Sequence, residues 1–264
     1  MTNTGIHVAD TIVLADGLFP TRPELLQLFA QCRHIVCCDR AYLKYREYAR
    51  QDNILCGDGM CSVSTETAVS AADLFSTIGM EHASFPTKHD VYVVGDGDSL
   101  PQDCLPELGD HFIHIQEQEN NDLTKAVHFC FLQGWEHIII LGATGLREDH
   151  TLGNISLLAE YLHEKPEANI HILSDFGTFS AVFSSATFSS FKGQQVSIFS
   201  LVPDKRVWCA GLAYPIQGRP LTNWWQGTLN EALTTSFTVR VEDGGTLIIF
   251  QTLQNKDTEL LHKQ

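Results

Sequence analysis

Two carboxylates, Asp96 and Asp98, flank Gly97 in the run Gly95-Asp96-Gly97-Asp98-Ser99. Acids at spacing i, i+2, separated by a residue that lets another group approach, can share one hard divalent cation. A second polar run, Glu117-Gln118-Glu119-Asn120-Asn121-Asp122, leads to Lys125, one turn beyond Asp122 on the same helical side. A third is Gly142-Ala143-Thr144-Gly145-Leu146-Arg147-Glu148-Asp149-His150, with Asn154 sharing a helix face with His150. Its backbone N–H groups suit phosphate oxygens, and Arg147 adds a two-pronged donor. The Gly-Lys-Ser/Thr tail of a P-loop is missing. Each group also has a plain structural use. Asp and Gly build turns, Asn121 or Asp122 and Asp149 suit helix caps, and Glu117 to Glu119 suits a solvated loop.

Strand ends would gather these groups. Val91 to Val94 is a β-prone apolar run that enters the Gly95 turn, as a buried parallel strand does. In open α/β sheets, ligands bind beyond the carboxyl ends of such strands. Upstream, strands at Thr11–Ala15 and His34–Cys38 alternate with helices at Pro23–Cys32 and Ala41–Arg50, and Asp39 ends the second strand. Downstream come strands at Phe112–Ile115, His137–Leu141 and Asn169–Ser174, with helices at Leu123–Gln133 and from about Thr151 to His163. Such alternation implies a parallel sheet with right-handed crossovers. Asn53 to Asp90 is less regular; it holds a Gly57-Asp58-Gly59 turn and a helical spacing over Thr65–Ile78, and reads as a surface elaboration.

From about Phe176 helical spacing stops. Short alternating runs follow at Thr178–Phe183, Thr187–Phe191, Gln195–Leu201, Ser236–Val241 and Thr246–Gln251, split by turn residues. The expected organisation is α/β plus all-β: an N-terminal open parallel-sheet α/β domain, residues 1–175, then a C-terminal β-sandwich domain, residues 176–264.

The 264 residues are 44% hydrophobic, enough for proper cores, and carry a formal net charge of −15. That charge argues against nucleic acid or an anionic membrane as partner, and makes a polyphosphate awkward unless metal ions neutralise the local acids. No stretch approaches a membrane span, and no basic-then-apolar leader opens the chain. Eight cysteines form no CxxC pair, which points to reduced thiols in a cytoplasmic protein rather than zinc or disulfides.

Taken in order, these loops resemble those of the thiamine pyrophosphokinase family. Val93-Val94-Gly95-Asp96-Gly97-Asp98-Ser99 is similar to its strand plus G-D-x-D-S signature, and 117–125 to its D-Q-D-x-x-D-x-T-K segment, with Glu at 117 and 119. Residues 142–154 resemble its G-x-x-G-G-R-x-D-H-x-x-x-N block. Asp39 stands where the family has an Ala-Asp-Gly-Gly turn, while 211–215 and 227–231 resemble its G-L-K-Y and G-x-S-N-E elements. There are departures: Arg40 and Ala41 replace glycines, Leu146 replaces a glycine, and Leu229 stands in place of serine.

The resemblance implies transfer of the pyrophosphoryl group of ATP to thiamine, giving thiamine diphosphate and AMP. It implies Mg²⁺ on Asp96, Asp98 and Asp122, with Lys125 among the catalytic groups. Either Asp98 or Asp122 would accept the alcohol proton. ATP would meet Asp39, Gly142, Thr144, Gly145, Arg147, Asp149, His150 and Asn154; thiamine would meet Gln118, Thr228 and Asn230, across a homodimer interface. Trp224 or Trp225 is placed either to stack on the cationic thiazolium or to pack in the sandwich. The competing readings are a pyrophosphokinase for a related hydroxymethyl heterocycle and a non-catalytic nucleotide or thiamine sensor.

Overall fold

The computed structural model describes residues 7–8, 10–51, 80–81 and 89–253. The turn and helix expected between 53 and 79 lie outside the described residues. The chain divides into two compact units, residues 1–174 and 175–264.

The first unit runs β1 (His7–Val8), β2 (Thr11–Leu14), α1 (Pro23–Gln31), β3 (His34–Cys38), α2 (Ala41–Gln51), β4 (Met80–Glu81) and β5 (Asp90–Gly95). It continues with α3 (Cys104–Leu108), β6 (Phe112–His114), α4 (Asp122–Leu132), β7 (His137–Leu141), α5 (Glu148–Glu164) and β8 (Asn169–Ser174). β1 pairs only with β4 among the described residues. The other strands run in the order β6-β5-β3-β2-β7-β8, every neighbour parallel. Ile12 to Leu14, Ile35 to Cys37, Val93, Val94 and Ile138 to Leu141 are fully buried, as strands covered on both faces must be. The order reverses between β2 and β7, so the sheet's topological switch point lies at their carboxyl ends.

Helix α1 starts with Pro23 at its first turn and buries Leu25, Leu28 and Phe29. Phe29 packs its ring against Phe19, Tyr45 and Tyr48, which docks α1 and α2 together. Two helices of this unit depart from expectation. The connection before β6 contains the one-turn helix α3, and α5 begins at Glu148 rather than Thr151. Extended Arg147 (φ −116°) precedes it, and Glu148 and Asp149 occupy the first turn, where the helix dipole favours acids.

The second unit holds β9 (Gly177–Val182), β10 (Ser185–Ser189), β11 (Gln195–Ser200), β12 (Arg206–Ala210), β13 (Gln217–Pro220), β14 (Asn230–Glu231), β15 (Ser236–Val241) and β16 (Leu247–Thr252). These pair antiparallel in the orders β14-β11-β16-β9 and β10-β15-β12-β13. Alternate residues of both sets face one core, including Val196 and Ile198, Val207 and Cys209, Phe237 and Val239, and Leu247 and Ile249. That is a β-sandwich. No helix of the described residues is long and apolar enough to cross a membrane.

Buried His171 on β8 bonds Asn169 Oδ1 at 2.7 Å, and desolvation pushes its pKa down to about 4. A lowered histidine pKa favours the native state above the unfolded value and loses that contribution as pH falls toward 4. His171→Gln should therefore flatten the acid limb: the destabilisation between pH 6.5 and 4.5 shrinks by about 2 kcal/mol in denaturant titrations.

Candidate functional site

Asp96 and Asp98 project from the turn after β5. Asp96 Oδ1 accepts the Asp98 N–H at 3.1 Å, and its Oδ2 accepts Gln118 Nε2 at 3.2 Å. These donors, the Asp98 amide first, hold the Asp96 carboxyl below the usual range, so it is ionised. Behind it, at the end of β3, Asp39 is 3% exposed. Its Oδ2 accepts the Ser99 N–H at 3.2 Å, while Oδ1 has no hydrogen-bond partner among the described residues. Burial pushes the Asp39 pKa up; the Ser99 amide opposes this, and the Asp122 and Asp96 charges add to it. Asp39 also sits at φ 36°, a left-handed conformation that side chains seldom adopt. Gly95 makes room for it, since a Cβ there would stand 2.8 Å from Asp39 Cβ.

The loop before α4 sorts its polar residues clearly. Glu117 Oε2 accepts the N–H groups of Glu119 (2.8 Å) and Asn120 (3.0 Å), so this acid shapes its own turn. Asn121 Oδ1 accepts the Thr124 N–H at 2.8 Å and is the helix cap. Asp122 is thereby released from capping and faces Lys125 Nζ at 3.5 Å. Lys125 is 4% exposed, an ammonium buried beside acids. Thr124 Oγ1 and the Tyr161 hydroxyl, 3.1 Å apart, dock α4 on α5.

Asp96, Asp98 and Asp122 do not form the closed trio expected from the sequence. Among the described residues, no three acids, imidazoles or thiolates stand close enough to hold one ion. The donor chemistry still fits Mg²⁺. It prefers hard oxygens, keeps several waters, and is usually bound by one or two carboxylates plus substrate phosphates. An orphaned, buried carboxylate oxygen on Asp39, with the Asp96 and Asp122 charges near it, is what such a shared cation would satisfy.

The turn after β7 is held from its own helix. Asn154 Nδ2 donates to the Ala143 carbonyl at 2.8 Å, and Thr151 Oγ1 accepts the Gly145 N–H at 3.1 Å. Asn154 thus latches the loop rather than offering its amide nitrogen to solvent. Arg147 and Asp149 form a two-pronged ion pair, at 3.0 and 2.6 Å, that holds the Asp149 carboxyl down at about 2. Both are exposed, as is His150. Leu146 is left-handed (φ 66°) and 70% exposed. A left-handed side chain costs about 1–2 kcal/mol, part of it offset in glycine by the freer unfolded chain. Leu146→Gly should stabilise the protein by about 0.5–1 kcal/mol, and Leu146→Ala should not. Paired denaturation midpoints decide it.

In the second unit a cavity of about 510 Å³ is lined by residues that include Tyr214, Arg219, Trp225, Thr228, Leu229 and Asn230. Asn230 is buried and clamps Tyr214: its Oδ1 accepts the Tyr214 N–H at 3.0 Å and its Nδ2 donates to the Tyr214 carbonyl at 2.7 Å. Thr228 Oγ1 donates to the Trp225 carbonyl at 2.8 Å. Trp225 is 73% exposed at this cavity, whereas Trp224 packs edge-on to Phe199 and donates its indole N–H to the Ser200 carbonyl. Leu229 is both left-handed (φ 58°) and exposed. Asp16, of the Asp16-Gly17 pair that ends the first strand, had no role assigned from sequence, nor had Lys44; the structure pairs them at 2.6 Å.

Residues 25–171 match the family model of the thiamin pyrophosphokinase catalytic domain, and residues 177–250 that of the thiamin pyrophosphokinase substrate-binding domain. The Candida albicans thiamin pyrophosphokinase structure superposes with a TM-score of 0.66 at 16% identity, covering 96% of this chain and 95% of that one. The Bacillus subtilis thiamine pyrophosphokinase gives 0.65 at 17% identity, covering 93% of this chain and 100% of that one. The Geobacillus thermodenitrificans thiamin pyrophosphokinase gives 0.64 at 19% identity, covering 93% and 98%. At such identities these likenesses establish the fold. A search of curated protein sequences finds no match.

Proposed function

This chain belongs to the thiamin pyrophosphokinase family, enzymes that pass the pyrophosphoryl group of ATP to thiamine, and from that membership we propose how its residues divide the work. The nucleotide lies along the strand ends of the first unit. The turn at Gly142, Thr144 and Gly145, latched by Asn154, offers backbone N–H groups to phosphate oxygens, and Arg147 adds charge. Asp149 orients Arg147 through their ion pair, and His150 follows at the helix start.

Mg²⁺ would be held by one or two of the carboxylates of Asp96, Asp98 and Asp122 together with substrate phosphates, with Asp39 behind them, and when bound would neutralise the triphosphate charge. The thiamine hydroxyl oxygen attacks the β-phosphorus, the bond to the α-bridging oxygen breaks, and AMP leaves. The hydroxyl proton passes to Asp98 or Asp122. Asp96 is unsuited to that role because two donors already stabilise its ionised form. Buried Lys125 faces Asp122 and supplies fixed positive charge for the oxygens of the transferring group. Gln118, bonded to Asp96, would meet thiamine at the acid turn. In the second unit, Thr228, Asn230 and Trp225 line the cavity that would take a thiamine ring, with the exposed Trp225 face toward the thiazolium cation.

The observation that carries this reading is Asp39: strained, buried and left with an orphaned oxygen beside two further acids. Such strain persists where function needs it. Incubation with ATP, Mg²⁺ and thiamine should release AMP; ADP as the sole nucleotide product would exclude pyrophosphoryl transfer, and tight binding without product would mark a sensor. Among the described residues, six cysteines are free and all six are buried, which supports residence in the reducing cytoplasm. The homodimer rests on the family resemblance; a monomer mass by light scattering would refute it.

A further inference from the structure

The switch point between β2 and β7 is stitched by a run of backbone hydrogen bonds. The turn after β2 bonds the turn after β7 through Ala15 N–H to Leu141 O (2.9 Å), Gly17 N–H to Gly142 O (2.7 Å) and Leu18 N–H to Thr144 O (2.8 Å). Gly17 lies so close that a Cβ would meet the Gly142 carbonyl oxygen at 2.3 Å, which no side chain tolerates. Onto this double turn reaches Lys44 from α2. Its Nζ donates to the carbonyls of Asp16 (2.8 Å) and Gly17 (2.7 Å) and pairs with Asp16 Oδ1 at 2.6 Å. Three acceptors saturate the three donors of an ammonium.

We propose that Lys44 is a positioning residue for the nucleotide: it fixes the β2 turn against the phosphate-cradling β7 turn and cancels the Asp16 charge beside the bound polyphosphate. The inference rests on the assignment of these strand ends to ATP. In a chain of formal net charge −15, an uncompensated carboxylate at this point would repel a triphosphate directly. Two ends of one ammonium bridge thus serve geometry and charge at once. The pair is partly exposed, so the expected effect is moderate rather than total.

The test compares Lys44→Met, Lys44→Arg and the double variant Asp16→Asn/Lys44→Met with the unaltered protein. AMP release gives kcat and the KM for ATP and for thiamine, a fluorescent ATP analogue with Mg²⁺ gives nucleotide affinity, and thermal unfolding gives stability. Lys44→Met should raise the KM for ATP about five- to tenfold and leave the KM for thiamine within about twofold. Lys44→Arg should restore most of the loss, because the charge and donors return. The double variant should recover part of the nucleotide affinity, because the stranded acid is gone. An unchanged KM for ATP in Lys44→Met would overturn the proposal. So would equal rises in both KM values that track the loss of stability, or a double variant no better than the single one. If the unaltered protein releases no AMP, the pyrophosphotransferase reading fails by itself, and analogue binding decides the role of Lys44.

Discussion

Asp96→Asn lowers the rate of AMP release by about 10³-fold, while thiamine binding stays within a few-fold of the unaltered protein. Pyrophosphoryl transfer asks little covalent chemistry of a protein; its barrier falls through positioning and through neutralisation of charge on the transferring group. Asparagine keeps the shape of Asp96 and an acceptor for the Asp98 N–H, so the turn survives. What disappears is the negative charge that two donors hold in place. Asp98→Asn behaves in the same way. Steady-state AMP release and calorimetric titration with thiamine separate turnover from binding, and full activity in both variants would refute the assignment of a metal to this turn.

Asp39→Asn should do two opposed things: abolish most of the turnover and raise the stability of the ligand-free protein by about 1 kcal/mol, or roughly 2–4 °C in Tm. The turnover loss follows because Asp39 brings its orphaned oxygen near the Asp96 and Asp122 charges. The gain follows because a buried, uncompensated charge is removed and the Ser99 N–H keeps an acceptor. Asparagine also tolerates the left-handed conformation better than most residues, so φ 36° adds no new strain. Measured together, a Tm rise with lost activity marks a functional strain site. A Tm loss would instead make Asp39 a structural residue.

The parallel strands were legible because an apolar run with no polar break has few other uses; His137–Leu141 was read with its ends in place. β13, Gln217–Pro220, was not, since Gly218 and Pro220 are strand breakers in any pattern. Helix α3 was missed for similar reasons: it is five residues long with Pro106 inside it. The chemical letters of the site were visible, but their duties were not. Only in the fold does Asn121 emerge as the cap of α4 that frees Asp122, and do Asn154 and Asn230 spend their amides on backbone carbonyls. The Lys44–Asp16 bridge spans 28 residues, beyond the reach of any periodicity. The left-handed placement of Leu146 and Leu229 ran against propensity, as functional loops often do.

The outer position of β6 among these parallel strands has a consequence for life at high concentration. A long, flat outermost strand is an invitation for another chain to add itself, the first step toward fibrils. β6 offers three residues, Phe112 to His114, with Asp110 just before it and Glu117 and Glu119 soon after. So short a ladder between like charges gives an incoming strand little to zip onto. The brevity that swings Gln118 back to Asp96 also keeps the rim of the sheet from becoming a seed.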